Sequence, residues 1–196
     1  MPNHVTNIIR LQGDEDQINV LRQAVMNDTF GPGSIDFEKV IPMPTDIFRG
    51  DLGPAEMALY GKRNWYDWSV DNWGTKWNAY GFDDIAEFHQ PDTICFMTAW
   101  AAPHEVISKL AQMYPDLEVE HSWADEDLGS NCGKRVYANG LLDSVYEPEY
   151  GRESMEYAAT VKGEDLAERG LVLNEDGTEY VYRDEDESLE IDISGM

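Results

Sequence analysis

The chain is poor in cysteine, in basic residues and in long apolar runs. Its 196 residues include two Cys, and 14 Lys and Arg stand against 39 Asp and Glu, so the formal net charge is -25. Two cysteines cannot build a disulfide scaffold, and a bilayer span needs an apolar run of about 18 residues, which the sequence lacks. We therefore expect a protein of a reducing, cytoplasmic compartment, and its first residues show no secretory signal.

The shortage of basic residues argues against direct binding to nucleic acid or to a membrane. Residues 1–142 carry 22 acidic and 10 basic side chains, whereas residues 143–196 carry 17 and 4. A surface with this charge repels phosphate backbones and anionic lipids. Three interpretations of the charge stay open: a solubilising surface, adaptation to high salt, or imitation of nucleic-acid phosphates by a protein that occupies a basic site.

Motifs of catalysis and of metal binding are missing from the sequence as well. It contains no Gly-x-Ser-x-Gly and no glycine-rich phosphate loop with a lysine. It has no Cys-x-x-Cys and no closely spaced histidine pair, which are typical ligand patterns of zinc. We therefore predict no cofactor and no metal, and we favour a protein that is not an enzyme.

Hydrophobic periodicity predicts alternating strands and helices in the first 142 residues. The predicted strands are residues 3–11, 35–41, 93–100, 117–123 and 135–142. One helix is predicted to begin after Asp14 and another at Pro103, with a less regular insertion at about residues 42–92. This order is typical of a ferredoxin-like split βαβ sandwich, an α+β fold in which two helices cover one face of an antiparallel sheet.

Residues 143–196 are predicted to form an acidic C-terminal extension, packed on or appended to the domain of residues 1–142. A short helix is predicted over residues 163–169, followed by a hairpin of residues 171–173 and 180–182. The densest run of carboxylates is predicted to form an acidic surface: Asp184, Glu185, Asp186 and Glu187.

Four of the six tryptophans lie within 13 positions, inside residues 64–80. One interpretation is structural: a tryptophan-rich helix, ended by Gly74, closes the open side of the sheet. The other is a stacking platform for a sugar or a peptide side chain. Its candidate residues are Trp65, Trp68, Asp71, Asn72, Trp73, Lys76, Trp77 and Asn78.

Five motifs resemble the YubB/Api-type ferredoxin-like domain, a family found in proteins of bacteriophages and conjugative plasmids. They are Met1–Asn7, Phe37–Pro44, Asn64–Trp68, Asn72–Asn78 and Phe96–Pro103. The resemblance covers about residues 1–140 and implies a ferredoxin-like fold without an iron–sulfur cluster. It also implies an origin in a mobile element, and it assigns no catalytic residues.

From these observations we expect an accessory protein that binds a host protein with a basic surface. In its sharper form, the negatively charged surface of the chain, especially that of residues 143–196, imitates nucleic-acid phosphates and inhibits a nucleic-acid-binding protein of the host. The alternative is a small-ligand or peptide binder that uses residues 64–80, and an enzyme is the least favoured class. The partner's identity and the oligomeric state stay open.

Overall fold

A five-stranded antiparallel sheet forms the centre of the molecule. The computed structural model describes residues 3–183. In spatial order the strands are β2, β1, β3, β4 and β5. Their bounds are β1 His4–Gln12, β2 Thr93–Ala99, β3 Glu118–Asp125, β4 Cys132–Ala138 and β5 Leu141–Tyr146. Strands β2 and β3 flank β1 on its two sides and are joined by a helix, which is a split βαβ unit.

The main hydrophobic core lies between one face of this sheet and two helices, α1 (Glu15–Val25) and α4 (His104–Met113). Ile9 of β1 sits opposite Ile94 of β2, and both are fully buried against Leu21 of α1 and Leu110 of α4. The alternation of side chains along strands and the three-to-four spacing along helices bring these residues to one layer. The predicted α+β sandwich is confirmed.

A further helix, α5 (Arg152–Lys162), packs on the opposite face of the sheet. Ala158, Ala159 and Val161 belong to a second buried cluster, which also includes Ala124 of β3 and Cys132 of β4. The helix predicted over residues 163–169 is wrong, because these residues form turns after α5 has ended. The predicted domain boundary after residue 142 falls inside β5.

The predicted hairpin near the end of the chain is confirmed as β6 (Leu171–Leu173) and β7 (Tyr180–Tyr182). Two side-chain contacts fasten it to α5: the Tyr180 hydroxyl donates to Glu156 Oε1 at 3.2 Å, and Arg152 donates to the Gly177 carbonyl at 2.8 Å. The predicted acidic surface of residues 184–187 lies outside the described residues.

The strand predicted over residues 35–41 is wrong, because its backbone is bonded to side chains instead of to a neighbouring strand. Asn78 Oδ1 accepts from the Phe37 amide at 2.9 Å, and Asp36 Oδ1 accepts from the Glu38 amide at 3.0 Å. The segment therefore forms a short 3-10 turn at Phe37–Lys39.

The position beside β2 is filled by isolated bridges instead of by that strand. Tyr80 and Met97 exchange two backbone hydrogen bonds of 3.1 and 2.7 Å, and the Gly33 carbonyl accepts from the Cys95 amide at 3.0 Å. Residues 77–82 thus contribute a single bridge, at Tyr80, and no strand.

The insertion carries two helices, α2 (Pro54–Tyr60) and α3 (Trp65–Trp73). The predicted end of α3 is confirmed, since Gly74 ends the helix with a φ of 76°. The structure adds that Asn64 caps its start. Within residues 3–183, no helix is long and apolar enough to cross a membrane.

The cap of α3 offers a local test of the fold. Asn64 is fully buried; its Oδ1 accepts from the Asp67 amide at 3.0 Å, and its amide nitrogen donates to the Gly61 carbonyl at 2.6 Å. Asn64→Ala is expected to lower the free energy of unfolding by about 1–2 kcal/mol, measured by urea denaturation. Asp71→Ala, an exposed position of the same helix, is the control, and an equal loss in both variants would contradict the capping role.

Candidate functional site

A cavity of about 570 Å³ opens on the face of the sheet that carries α5. We call it the α5-side cavity. It is lined by residues of β1 and β2, of the segment 80–88, of the end of β3 and of the C-terminal end of α5. These residues are His4, Thr6, Tyr80, Asp84, Ile85, Glu87, Phe88, Met97, Glu126, Lys162, Gly163 and Glu164.

The sheet supplies one wall of the cavity through its register. His4 and Thr6 alternate with the core residues of β1 and therefore point to the second face, where Met97 of β2 lies opposite Thr6. Tyr80 pairs with Met97 through the backbone. The next residue, Gly81, has a φ of 68°, and a Cβ there would lie 2.8 Å from Met97 Cγ, so this turn favours glycine.

The end of α5 forms the opposite wall. Gly163 terminates the helix with a φ of 63°, and a Cβ at this position would lie 2.9 Å from the Phe88 ring. The missing side chain therefore allows the helix end and the Phe88 ring to approach each other closely. This approach brings Lys162 and Glu164 to the rim of the cavity.

Four carboxylates and one lysine line the α5-side cavity. Lys162 Nζ lies 3.2 Å from Glu164 Oε1, so these two charges are paired. In the described part of the chain, Asp84, Glu87 and Glu126 form no ion pair within 4 Å. The cavity therefore has an excess of negative charge beside the apolar side chains of Ile85, Phe88 and Met97.

Tyr80 is the central hydrogen-bonding group of this cavity. Its hydroxyl lies 2.7 Å from His4 Nδ1 and donates to the Thr98 carbonyl at 3.2 Å. Burial, together with the nearby charge of Glu126, raises the pKa of Tyr80 to about 12. The phenol therefore stays protonated at neutral pH and can serve as a hydrogen-bonding group, but not as a base.

The lining of the cavity combines carboxylates with apolar side chains. Among the described residues that line it there is no cysteine or serine to act as a nucleophile. Within residues 3–183 there is also no group of three or more His, Cys, Asp or Glu side chains placed to hold a metal ion. Carboxylates beside apolar side chains form an environment for an organic cation with an apolar body.

The tryptophans of residues 64–80 differ in how far their side chains are buried. Trp73 is 3% exposed, and its indole N–H donates to the Ile41 carbonyl at 2.9 Å. Trp68 meets the Trp73 ring edge-on at 5.2 Å. Trp65 is half-buried, and its indole N–H donates to the Gly50 carbonyl at 3.0 Å.

The remaining candidate residues of this segment are dispersed. Asn72 donates to the Trp68 carbonyl, and Asn78 bonds to residues 36 and 37, while Asp71 is exposed on α3. Lys76 Nζ lies 4.6 Å from the centre of the Trp77 ring and 4.8 Å from that of Trp100. None of the eight candidate residues lines the α5-side cavity, and their role as a binding site stays a prediction.

The residues of the α5-side cavity were missed in the sequence because they come from separate segments. A signal existed for one part: the strand alternation that places Val5 in the core places His4 and Thr6 on the other face. Helix α5 covers one part of this second face and leaves the other part open. This arrangement depends on where α5 packs, which the sequence alone does not give.

The fold and the cavity define an α+β protein of the ferredoxin-like type with a ligand-sized cavity beside its sheet. Residues 72–167 match the family model described as a ferredoxin-like domain in Api92-like protein. This match supports an Api-type ferredoxin-like family, and it confirms the predicted resemblance. The match begins at the end of α3 and extends through α5, so it starts and ends later than the resembling residues 1–140.

No curated protein and no solved structure matches the chain.

Proposed function

We propose that this chain is a non-catalytic binding module for a basic protein partner and that the α5-side cavity receives a lysine or arginine side chain of that partner. The observation that carries the proposal is the cavity itself. Its volume of about 570 Å³ lies in the range of about 300–1,000 Å³ that is typical of ligand pockets.

The lining of the cavity matches the two parts of a long basic side chain. The alkyl stem of lysine or arginine packs on apolar surface, here offered by Ile85, Phe88 and Met97. The cationic head pairs with carboxylates, here Asp84, Glu87 or Glu126. Charge-assisted hydrogen bonds of this kind are roughly twice as strong as neutral ones.

The charge of the whole chain supports the same class of partner. A net charge of -25 attracts a cationic surface over long distances and raises the rate of encounter, an effect that weakens as salt is added. The cavity would then provide the short-range specificity that a diffuse negative surface lacks.

Under this proposal, the host protein predicted from the sequence as a partner binds at the α5-side cavity. Imitation of nucleic acid by the acidic surface, especially that of residues 143–196, and an origin in a phage or plasmid stay predictions. The alternative site in residues 64–80 also stays a prediction, and there the Lys76 ammonium already lies over the Trp77 and Trp100 rings.

The test compares two short peptides, Ala-Arg-Ala-Arg-Ala and the same peptide with citrulline in place of arginine, both with blocked ends. Citrulline has nearly the shape of arginine but no charge. Binding measured by calorimetry is expected for the arginine peptide and at least tenfold weaker for the citrulline peptide, because a hydrogen bond to a charged group contributes about 1.5–3 kcal/mol.

Paired variants separate the cavity from the general negative charge. The double variant Asp84→Asn, Glu87→Gln is expected to weaken binding of the arginine peptide about tenfold. The double variant Glu15→Gln, Asp16→Asn removes the same charge from the start of α1 and should change the affinity less than twofold. Equal losses in the two double variants, or equal binding of the two peptides, would refute a specific site in the cavity.

A further inference from the structure

Helix α2 (Pro54–Tyr60) is apolar on nearly every side. Its sequence, PAEMALY, contains one charged residue, Glu56. A helix that is apolar all round is normally buried, yet no residue of α2 is buried by the described part of the chain. Met57 is 53% exposed and Leu59 is 75% exposed. The helix therefore presents apolar side chains to solvent on the surface of a single chain.

Helix α2 is held in place at both ends. At its start, Glu56 Oε2 accepts from the Gly53 amide at 3.1 Å, and Pro54 suits the first helical turn. At its end, the Tyr60 ring stacks on the Phe48 ring, with the centres 4.2 Å apart and the planes 9° from parallel. The helix is thus formed before any partner binds, and such a surface loses little conformational freedom on binding.

The chain around α2 is neutral in a protein that is otherwise strongly acidic. Residues 45–64, which we call the α2 surface, contain three acidic and three basic residues, whereas the whole chain has a net charge of -25. Two of the basic residues, Arg49 and Arg63, are paired with carboxylates. Asp51 and Lys62 are exposed, and in the described part of the chain neither forms an ion pair within 4 Å. The α2 surface therefore has an apolar centre and a free charge of each sign.

This balance of charge favours a second copy of the chain over a basic partner. A contact between two identical surfaces about a two-fold axis must be complementary to itself. A surface of one sign fails this condition, whereas an apolar centre with equal numbers of acidic and basic residues meets it. A basic protein is attracted to the acidic parts of the chain, and a neutral surface gives it no such attraction.

We propose that the α2 surface is the contact between two copies of this chain in a symmetric dimer. Met57 and Leu59 of each copy lie at the centre of the contact and are covered by the other copy. Around this centre, Lys62 of one copy faces acidic residues of the second, and Asp51 faces basic residues. No residue of the α2 surface lines the α5-side cavity, so the dimer is independent of the proposed binding of a basic side chain.

The net charge determines how this dimer responds to salt. Two chains with a charge of -25 each repel one another outside the contact, and salt screens that repulsion. We therefore expect the dimer to become tighter as salt is added, whereas binding of the arginine peptide to the α5-side cavity becomes weaker. The sign of the salt effect separates the two proposals.

Sedimentation equilibrium of the full chain, from micromolar to near-millimolar concentration, measures the dimer. Leu59→Asp is expected to weaken dimerisation about tenfold or more, because it places a carboxylate in the apolar centre of the contact. Val20→Asp is the control, since Val20 is 60% exposed on α1, outside the α2 surface, and it should leave the dimer constant nearly unchanged. Both positions are exposed in the single chain, so neither variant is expected to affect folding.

A pair of charge variants tests whether the contact is complementary to itself. Lys62→Glu leaves the α2 surface with four acidic and two basic residues, and it is expected to weaken the dimer about fivefold or more. Adding Asp51→Lys to the same chain restores three residues of each sign and should recover most of the affinity. Failure of the second change to recover the dimer would overturn the argument from charge.

A chain that stays monomeric at every concentration and salt overturns the proposal, as does a dimer that Leu59→Asp and Val20→Asp weaken equally. If the chain is monomeric and Leu59→Asp lowers its affinity for the arginine peptide, the α2 surface belongs to the basic partner instead of to a second copy. Failure of the peptide experiment has no bearing on the dimer, because the α5-side cavity and the α2 surface share no residue.

Discussion

Trp73→Ala is expected to lower the free energy of unfolding by about 3–5 kcal/mol. The Trp73 ring is 3% exposed and packs edge-on against Phe37 and Trp68. Its indole N–H also donates to the Ile41 carbonyl, so the variant leaves both a cavity and an unpaired acceptor. Urea denaturation with circular dichroism measures the loss.

Trp77→Ala is the matched control from the same tryptophan-rich segment. Trp77 is half-buried, and its ring contacts the Lys76 ammonium, an interaction of about 0.5–1 kcal/mol at exposed sites. We expect a loss of about 1 kcal/mol for this variant. A loss as large as that of Trp73→Ala would show that the segment is one packed unit, and a small loss for Trp73→Ala would contradict its assignment to the core.

The elements that the sequence predicted well carry their own local signals. Helix α1 begins where Asp14 accepts from the Gln17 amide, and α3 lies between the Asn64 cap and Gly74. Strand β2 is a continuous apolar run, as expected for a strand covered on both faces. In each case the residues that define the element lie within a few positions of it.

The strand predicted over residues 35–41 failed because its decisive partner is distant in sequence. The amide of Phe37 bonds to the side chain of Asn78, which lies 41 positions further along the chain. Apolar alternation in residues 35–41 is therefore compatible with a buried 3-10 turn, and local periodicity cannot separate the two possibilities.

Two features near the predicted domain boundary have local signals in the sequence. Asn139 and Gly140 have φ values of 53° and 74° and join β4 to β5. An Asn-Gly pair between apolar runs is the strongest short-range signal for such a hairpin. In α5, Met155, Ala158 and Ala159 follow the helical spacing, but the high acidity of this region favoured its assignment to an extension.

Two cavities could not be predicted, since each combines residues from separate segments. A smaller cavity at the N-terminal end of α4 joins His104 of α4 to Trp123 of β3 and Arg135 of β4. The register of the sheet and the position of α4 decide this proximity. The sequence shows the single residues of these cavities, but the tertiary fold decides that they lie close together.

A buried polar network centred on Asn7 provides a test of the core that depends on pH. The Asn7 amide nitrogen donates to the Val5 carbonyl and to Thr98 Oγ1, both at 2.9 Å. Its two donor hydrogens are thus used, so Asn7 Oδ1 accepts from Nε2 of His121 at 3.0 Å. His121 is fully buried, and its ring centre lies 5.8 Å from that of His104.

Both histidines are held in the neutral form. Burial, with a further contribution from Arg135 that Glu147 partly opposes, lowers the pKa of His104 to about 4. Burial, followed by the charges of His104 and Arg135, lowers the pKa of His121 well below its usual value. In the unfolded chain each imidazole takes up a proton near pH 6.5. As the pH falls below 6.5, the unfolded state therefore binds more protons than the native state, and stability is lost.

We expect His104 to contribute a loss of about 2 kcal/mol between pH 7 and pH 4, after a reduction for the part of the ring that solvent reaches. His121 acts in the same direction. Protonation of the many carboxylates changes stability over the same range, so the measurement is the difference between the wild type and a variant at each pH. His121→Gln, whose amide can still donate to Asn7, is expected to become more stable relative to the wild type as the pH falls.

Ile107→Val serves as the control, because it alters the same core without a titratable group. Its stability should differ from that of the wild type by about 1 kcal/mol at every pH. Equilibrium urea unfolding at intervals from pH 7 to pH 4 gives the three curves. The curve of stability against pH for Ile107→Val is expected to run parallel to that of the wild type. If the curve for His121→Gln were parallel as well, the buried neutral histidine would not contribute to the loss of stability in acid.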